Sequence, residues 1–143
     1  MSKLSSVQDE IIGEFEILGD DKESTIFYIM ELGGQLPPMP ESDKTEEHII
    51  KGCQSKVWLT ASLQDDRVYF LADSNTDITK GLISLLIRVY SGQRPQDILA
   101  EELYFLDKIG MGSIIGSQRS NGLAAMIKQM KRYALAYQTQ INA

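Results

Sequence analysis

Apolar and polar positions change period several times along the chain, and each change marks an element. Leu4, Val7, Ile11, Ile12 and Phe15 recur near helical spacing with acidic residues between them, which predicts a first helix ending near Gly19. Residues 24–32 offer Ile26, Ile29, Met30 and Leu32 for a second short helix, with the Gly33-Gly34 pair expected to end it through positive φ angles. Leu36-Pro37-Pro38-Met39-Pro40 cannot be regular helix, because each proline lacks an amide donor and keeps its predecessor extended, so an irregular surface connector is expected. Residues 41–48 are polar and read as a loop or short helix. From Val57 the period is two: Val57, Leu59, Ala61 and Leu63 face one way, Trp58, Thr60 and Ser62 the other. After a turn at Gln64-Asp65-Asp66-Arg67, the run Val68-Tyr69-Phe70-Leu71-Ala72 returns as a second strand, giving an antiparallel hairpin.

Ser74 with Asp77 three residues on resembles a capping box, and Ile78, Leu82, Leu85, Leu86 and Val89 form one face of the helix behind it, with Gly92 near its end. Pro95 suits the first position of a short helical turn, where its missing amide would be unpaired anyway. Residues 101–108 show no clear period, and Gly110, Gly112 and Gly116 predict a loop. Leu123, Met126, Ile127, Met130, Tyr133, Ala134 and Tyr137 then give the clearest helix in the chain, with Ser117 as its expected cap. Helices around a strand hairpin in this order predict an α+β fold.

With 143 residues and 43% hydrophobic content the chain is long enough for one buried core, so a single domain over 1–143 is expected. Its 14 basic and 20 acidic residues leave a net charge of −6, which argues against a nucleic-acid footprint; Lys128-Gln129-Met130-Lys131-Arg132 reads as the solvated face of a helix. Acidic residues follow Met1-Ser2-Lys3-Leu4 where a secretory signal would be apolar, and no apolar run approaches a membrane span. A single cysteine fits a reducing compartment, and the location expected is cytoplasmic.

That cysteine, Cys53, is the residue with the most chemical information. One thiol forms no internal disulfide and no multi-cysteine zinc site, and Gly52, Gln54 and Ser55 are not the neighbours of a thiol serving as a small core hydrophobe. The stretch Ile49-Ile50-Lys51-Gly52-Cys53-Gln54-Ser55-Lys56-Val57-Trp58-Leu59 resembles the sulfur-acceptor signature of the SufE family. The resemblance continues in order through Asp73-Ser74, Ile78-Thr79-Lys80-Gly81-Leu82-Ile83, Pro95-Gln96-Asp97-Ile98 and Ser117-Gln118-Arg119-Ser120-Asn121-Gly122-Leu123. It implies a compact α+β domain similar to the iron–sulfur scaffold fold, with a small antiparallel sheet packed against helices and a third strand just before or around Cys53. It also implies a sulfur-transfer protein. Such a protein accepts sulfane sulfur onto Cys53 from the persulfide of a cysteine desulfurase, stimulates that enzyme and delivers the sulfur for iron–sulfur cluster assembly. The implied partners are the desulfurase, which holds the pyridoxal phosphate, and an iron–sulfur scaffold complex, with a homodimer as a possible assembly. No cofactor, metal, nucleic acid or membrane is expected on this chain.

Around Cys53, Gly52 removes a side chain beside the thiol, and Lys51 and Lys56 would favour the thiolate if they pointed toward it. Gln54 and Ser55 complete the expected loop. Asp73 matches an acidic position after the second strand, while Asn75 stands where many members of the family carry another acid. Arg119 opposes the helix dipole if Ser117 caps the last helix, so it is either solvated or held by an anion or partner; the resemblance places its block beside the acceptor cysteine. His48, the only histidine, opens a rival reading as a Cys-dependent hydrolase using Cys53 with His48. That reading requires the imidazole within hydrogen-bond reach of the thiol. A cluster-binding scaffold normally needs several thiolates, which this chain lacks. Trp58, Tyr69 and Phe70 read as sheet packing, and the Gly110-Met111-Gly112 run follows no strand and so matches no phosphate loop.

Overall fold

The computed structural model describes residues 2–142. Helix α1 (Lys3–Ile17) starts where the Ser2 hydroxyl accepts the Ser5 amide, and it buries Leu4, Ile11 and Phe15. It stops ahead of Gly19, whose φ of +68° lets the chain turn. Asp21 caps α2 (Lys22–Gly34) through the Glu23 amide. The helix ends at Gly34 as expected, but not by the expected means: both glycines are helical and neither has a positive φ. Gly33 is there for packing, since a Cβ on it would come within 2.6 Å of the Gly81 amide nitrogen on the next helix.

Beyond the proline connector, which buries Met39, two short 3₁₀ turns (Glu41–Asp43 and Glu46–His48) lead toward the cysteine. The hairpin follows as expected: β1 (Val57–Gln64) pairs antiparallel with β2 (Arg67–Ser74). Asp65 and Asp66 both have positive φ, 52° and 62°, the two-residue turn whose twist suits the strands. In the register Val57↔Ser74, Leu59↔Ala72, Ala61↔Phe70 and Leu63↔Val68, the period-two apolar set meets across the pair and faces the helices. The implied third strand reduces to a single antiparallel bridge between Ile49 and Trp58. Both open edges are otherwise covered. Tyr133 and Tyr137 donate their hydroxyls to the Leu59 and Ala61 carbonyls along β1, and the Ser91 hydroxyl and Gly92 and Gln93 backbone bond to Val68 and Phe70 along β2.

Helix α3 (Asp77–Tyr90) has Thr76, not Ser74, at its N-cap. Ser74 is still in β2 and gives its hydroxyl to the Lys56 carbonyl at 2.8 Å, so the capping box is replaced by a strand-to-loop bond. Pro95 opens α4 (Pro95–Ala100) as expected, and α5 (Phe105–Lys108) fills part of the stretch that showed no period. Buried Gln8 holds that stretch: its amide donates to Glu101 and to the Glu102 carbonyl and its oxygen accepts the Tyr104 and Phe105 amides. The loop expected at Gly110, Gly112 and Gly116 is corrected as well. Helix α6 (Met111–Ile141) begins after Gly110 and is interrupted only at Gly116, where φ is 84° and ψ 171°. Met111 and Ile115, four apart and both buried, hold this first turn against the core, and packing overrides the low helix propensity of glycine. Gly116 separates two helical segments, and Ser117 is the first residue of the second, one position past the cap expected of it. No described helix is long and apolar enough to cross a membrane.

Glu14 joins the three leading helices: Arg88 of α3 donates to both of its carboxylate oxygens and the Tyr28 hydroxyl of α2 donates to one. The Arg88 hydrogen bond holds the Glu14 carboxyl below its ordinary 4.5, against the raising effect of burial. A carboxyl depressed on folding stabilises the fold above its unfolded pKa, and that contribution disappears as pH falls through the folded value. Urea unfolding of wild type and Glu14→Gln at neutral pH and at the acid foot of the carboxylate range is therefore expected to show a stability gap that closes on acidification; an equal gap at both would show that the ion pair is not its source.

Candidate functional site

Cys53 sits in the loop 51–56, which is clamped at its base. The Ile50 amide donates to the Val57 carbonyl at 2.8 Å, joining the two ends. On the far side the Lys56 amide donates to the Asn75 side-chain oxygen and the Asn75 amide returns to the Lys56 carbonyl, which also accepts from Ser74. Asn75 thus does by its amide oxygen what no charge is needed for: it fastens the loop to the end of β2. At the tip Gly52 has φ of +99°, a conformation that L side chains avoid, and a Cβ built there would lie 3.4 Å from that of Ala125 on α6. Cys53 follows, half-buried, and donates its Sγ–H to the Gly122 carbonyl at 3.5 Å. Gly122 is buried; a Cβ on it would lie 3.4 Å from Sγ, so α6 can come this close to the thiol because it carries no side chain at that point.

A cleft of about 70 Å³ opens beside the thiol, between the loop, the start of α3 and the first full turns of α6 beyond Gly116. Gln54, Ser55 and Arg119 line it, together with Thr76, Thr79, Leu82, Gln118, Gly122 and Met126. A larger depression of about 470 Å³ lies between the ends of α1 and α2 and the α5–α6 junction, but it is lined by neither cysteine nor histidine. Chemistry rather than size picks out the Cys53 cleft.

Burial pushes the Cys53 thiol up from its ordinary value. Lys51 and Lys56 are both exposed and neither lines the cleft, so the condition on which they would favour the thiolate is not met. His48 is turned elsewhere: its Nδ1–H donates to the Asp43 carbonyl at 2.6 Å, within the 3₁₀ turns that precede the loop. No histidine or carboxylate is among the residues lining the cleft. Among the described residues no group of three or more His, Cys, Asp or Glu is placed to hold a metal ion.

Of the residues singled out from sequence, Cys53, Gln54, Ser55 and Arg119 meet at the cleft, and Gly52 shapes the loop that carries them. Asp73 does not reach it. Its carboxylate pairs with Lys44 at 2.9 Å and Lys80 at 3.4 Å and accepts the Ser74 amide, while Lys44 also lies over the Trp58 ring. Burial alone would raise the Asp73 carboxyl, but the Lys44 and Ser74 hydrogen bonds and the Lys80 charge bring it below the ordinary range. It anchors the outer face of the hairpin to the 3₁₀ turn and α3 rather than capping that helix. Arg119 is exposed and makes no ion pair or hydrogen bond among the described residues. Sequence reasoning passed over Thr76, Thr79 and Gly122. All three fall within or beside the matched blocks, and the signal available was that two of those blocks had to converge on the cysteine loop.

Comparison with known proteins gives three findings. The family model described as SufE, Fe-S metabolism associated domain, matches residues 9–134. Uncharacterized SufE-like proteins of Rhizobium meliloti and Rhizobium etli are each 37% identical over 131 residues, covering 88% of this chain and 93% and 88% of theirs. The solution structure of a hypothetical protein from Thermus thermophilus superposes with a TM-score of 0.75 at 18% identity, covering 93% of this chain and 96% of the other, and so shares the fold.

Proposed function

We propose that this chain, which belongs to the SufE family of Fe-S metabolism associated domains, is a sulfur acceptor that takes sulfane sulfur from a cysteine desulfurase persulfide onto Cys53 and passes it on for cluster assembly. The observation that carries this reading is the setting of the thiol: a lone cysteine on a clamped loop, beside a cleft of atomic size whose lining, among the described residues, includes no histidine or carboxylate. A hydrolase built on the same thiol would need a general base at the cleft, and neither His48 nor any carboxylate lines it. Sulfur exchange needs only a thiolate and access. The Cys53 thiolate attacks the outer sulfur of the donor's persulfide; the new S–S bond forms as the donor's S–S bond breaks, and the leaving electron pair stays on the donor's thiolate. The Cys53 thiol is oxidised to a persulfide as the donor's persulfide is reduced to a thiol, so the transfer needs no outside oxidant. Burial moves the Cys53 thiol up from its ordinary value, which disfavours the thiolate and slows adventitious oxidation between encounters.

The test is the turnover of a matching desulfurase, which is expected to rise with added protein because Cys53 clears its persulfide; no rise over a full titration would contradict the reading. In the same assay His48→Ala is expected to stay within a few-fold of wild type, since a positioned imidazole base would be worth about 100-fold or more. Arg119 is read as a docking or loop-positioning residue, its charge unspent within the chain. Arg119→Ala is expected to unfold at the wild-type temperature yet shift the stimulation curve to higher concentration. A lowered melting temperature, or an unshifted curve, would remove it from that role.

A further inference from the structure

Three hydroxyl-bearing residues line the cleft, Ser55 from the loop and Thr76 and Thr79 from the start of α3, and their hydroxyls close a ring. Thr76 donates to Thr79 at 2.7 Å, Thr79 to Ser55 at 3.2 Å, and Ser55 and Thr76 are 3.0 Å apart. Each hydroxyl has one proton, so a ring of three uses all of them and none is directed into the cleft. The arrangement has a cost that is visible elsewhere. Thr76 is the N-cap of α3, where a threonine oxygen ordinarily accepts one of the first-turn amides, yet α3 has no side-chain cap hydrogen bond. The start of α3 is thus left without a side-chain cap beside the cleft, with the exposed Asp77 in its first turn, and the unpaired Arg119 also lines the cleft. Donors held in reserve, a helix start without its cap and a free guanidinium all favour an anion. The cleft has no room for a large one.

On the reading that Cys53 carries sulfane sulfur, we propose that this hydroxyl ring is the seat of the outer sulfur of the Cys53 persulfide anion. At about 70 Å³ the cleft accommodates one more sulfur atom beyond Sγ, where even 10–15 Å³ admits a water. When the sulfur enters, one hydroxyl turns out of the ring. A neutral hydroxyl–hydroxyl bond is exchanged for a charge-assisted bond to the terminal sulfur, and charge-assisted bonds are roughly twice as strong. The other two hydroxyls keep the bond between them. The ring therefore satisfies itself when the cleft is empty and supplies a donor when it is filled, and the seated sulfur is both more acidic and less available to small nucleophiles.

The test loads the sulfur without any desulfurase. Cys53 is converted to its mixed disulfide with thionitrobenzoate and treated with sulfide: the sulfide attacks Sγ, the aryl thiolate leaves, and the hydropersulfide remains. Cyanide then removes the outer sulfur as thiocyanate and returns the Cys53 thiolate, and the thiocyanate is read as an iron(III) complex. Thr79→Val, nearly isosteric at a buried position, removes one hydroxyl from the ring; Thr79→Ser restores it. Sulfur release is expected to be about fivefold or more faster from Thr79→Val than from wild type, with the alkylation midpoint of its persulfide moved to higher pH, and Thr79→Ser is expected to return both toward wild type. Equal rates in all three proteins overturn the proposal, as does a serine variant that behaves like the valine one, since packing rather than the hydroxyl would then govern release. Because the loading is chemical, a protein that seats sulfur in this way but takes none from a desulfurase would refute the acceptor reading and leave the seat standing.

Discussion

Gly81→Ala is expected to lose at least about 3 kcal/mol of stability, the upper end of what a small-to-large change in a packed core costs. Most such substitutions are absorbed by a flexible neighbour, but here the added Cβ would lie 1.9 Å from the Ile29 carbonyl oxygen and 2.6 Å from the Ile29 Cγ2. A backbone oxygen inside α2 cannot swing aside, so the two helices have to separate along a contact that already brings Gly33 against Gly81. For a domain of this length the loss corresponds to a melting temperature lower by roughly 10 °C. The consequence reaches the cleft, because α3 carries Thr76 and Thr79 at its start. Gly13→Ala is the internal control: nothing lies within 4 Å of its Cβ position inside α1, and replacing glycine there is expected to raise stability by up to about 1 kcal/mol. Thermal and urea unfolding of the two variants decides the matter, and a Gly81→Ala protein within about 1 kcal/mol of wild type would show that the helix crossing is looser than the structure has it.

Cys53→Ser is expected to abolish stimulation of a matching desulfurase, a loss of 100-fold or more in the slope against added protein, while leaving the melting temperature nearly unchanged. The oxygen is smaller, keeps a donor for the Gly122 carbonyl, and loses only a 3.5 Å sulfur contact, so the fold has little to notice. The chemistry has everything to notice: an alcohol near neutral pH offers almost no anion, and no sulfur–sulfur bond can form on it. Enzyme turnover and differential scanning calorimetry on the same preparation separate the two effects. Stimulation by the serine variant equal to that of wild type would mean that the protein activates its partner by binding alone.

How much of this was legible in the sequence follows from where local pattern and packing agree. The hairpin was legible in full because the period-two run from Val57 and the Asp65-Asp66 turn point to the same register, and neither is contradicted by a neighbour. The glycines misled. Gly33, Gly34 and Gly112 suggested positive-φ turns by propensity, yet all three are helical, Gly34 as the last residue of α2, in segments held by tertiary contacts, at Gly81 for α2 and at Met111 and Ile115 for the start of α6. Gly19, Gly52, Gly110 and Gly116 do have positive φ, and nothing within single-sequence pattern divides the two groups. Of the candidate site, Cys53 with its neighbours Gln54 and Ser55 was legible, and Arg119 was reached through its matched block. The other walls were not, because Thr76, Thr79 and Gly122 come from chain segments 23 to 69 positions away whose convergence depends on how α3 and α6 pack. The lysines show the converse error: proximity in sequence to Cys53 suggested an electrostatic aid, and the loop turns both outward.

The most direct measurement is the intact mass of the wild-type chain after incubation with a matching desulfurase and free cysteine, followed by peptide mapping without reductant. The account predicts one added sulfur atom per chain, located on Cys53 and removed by a thiol reductant. A chain whose mass is unchanged while the desulfurase turns over, or a sulfur found on any peptide without Cys53, would contradict it.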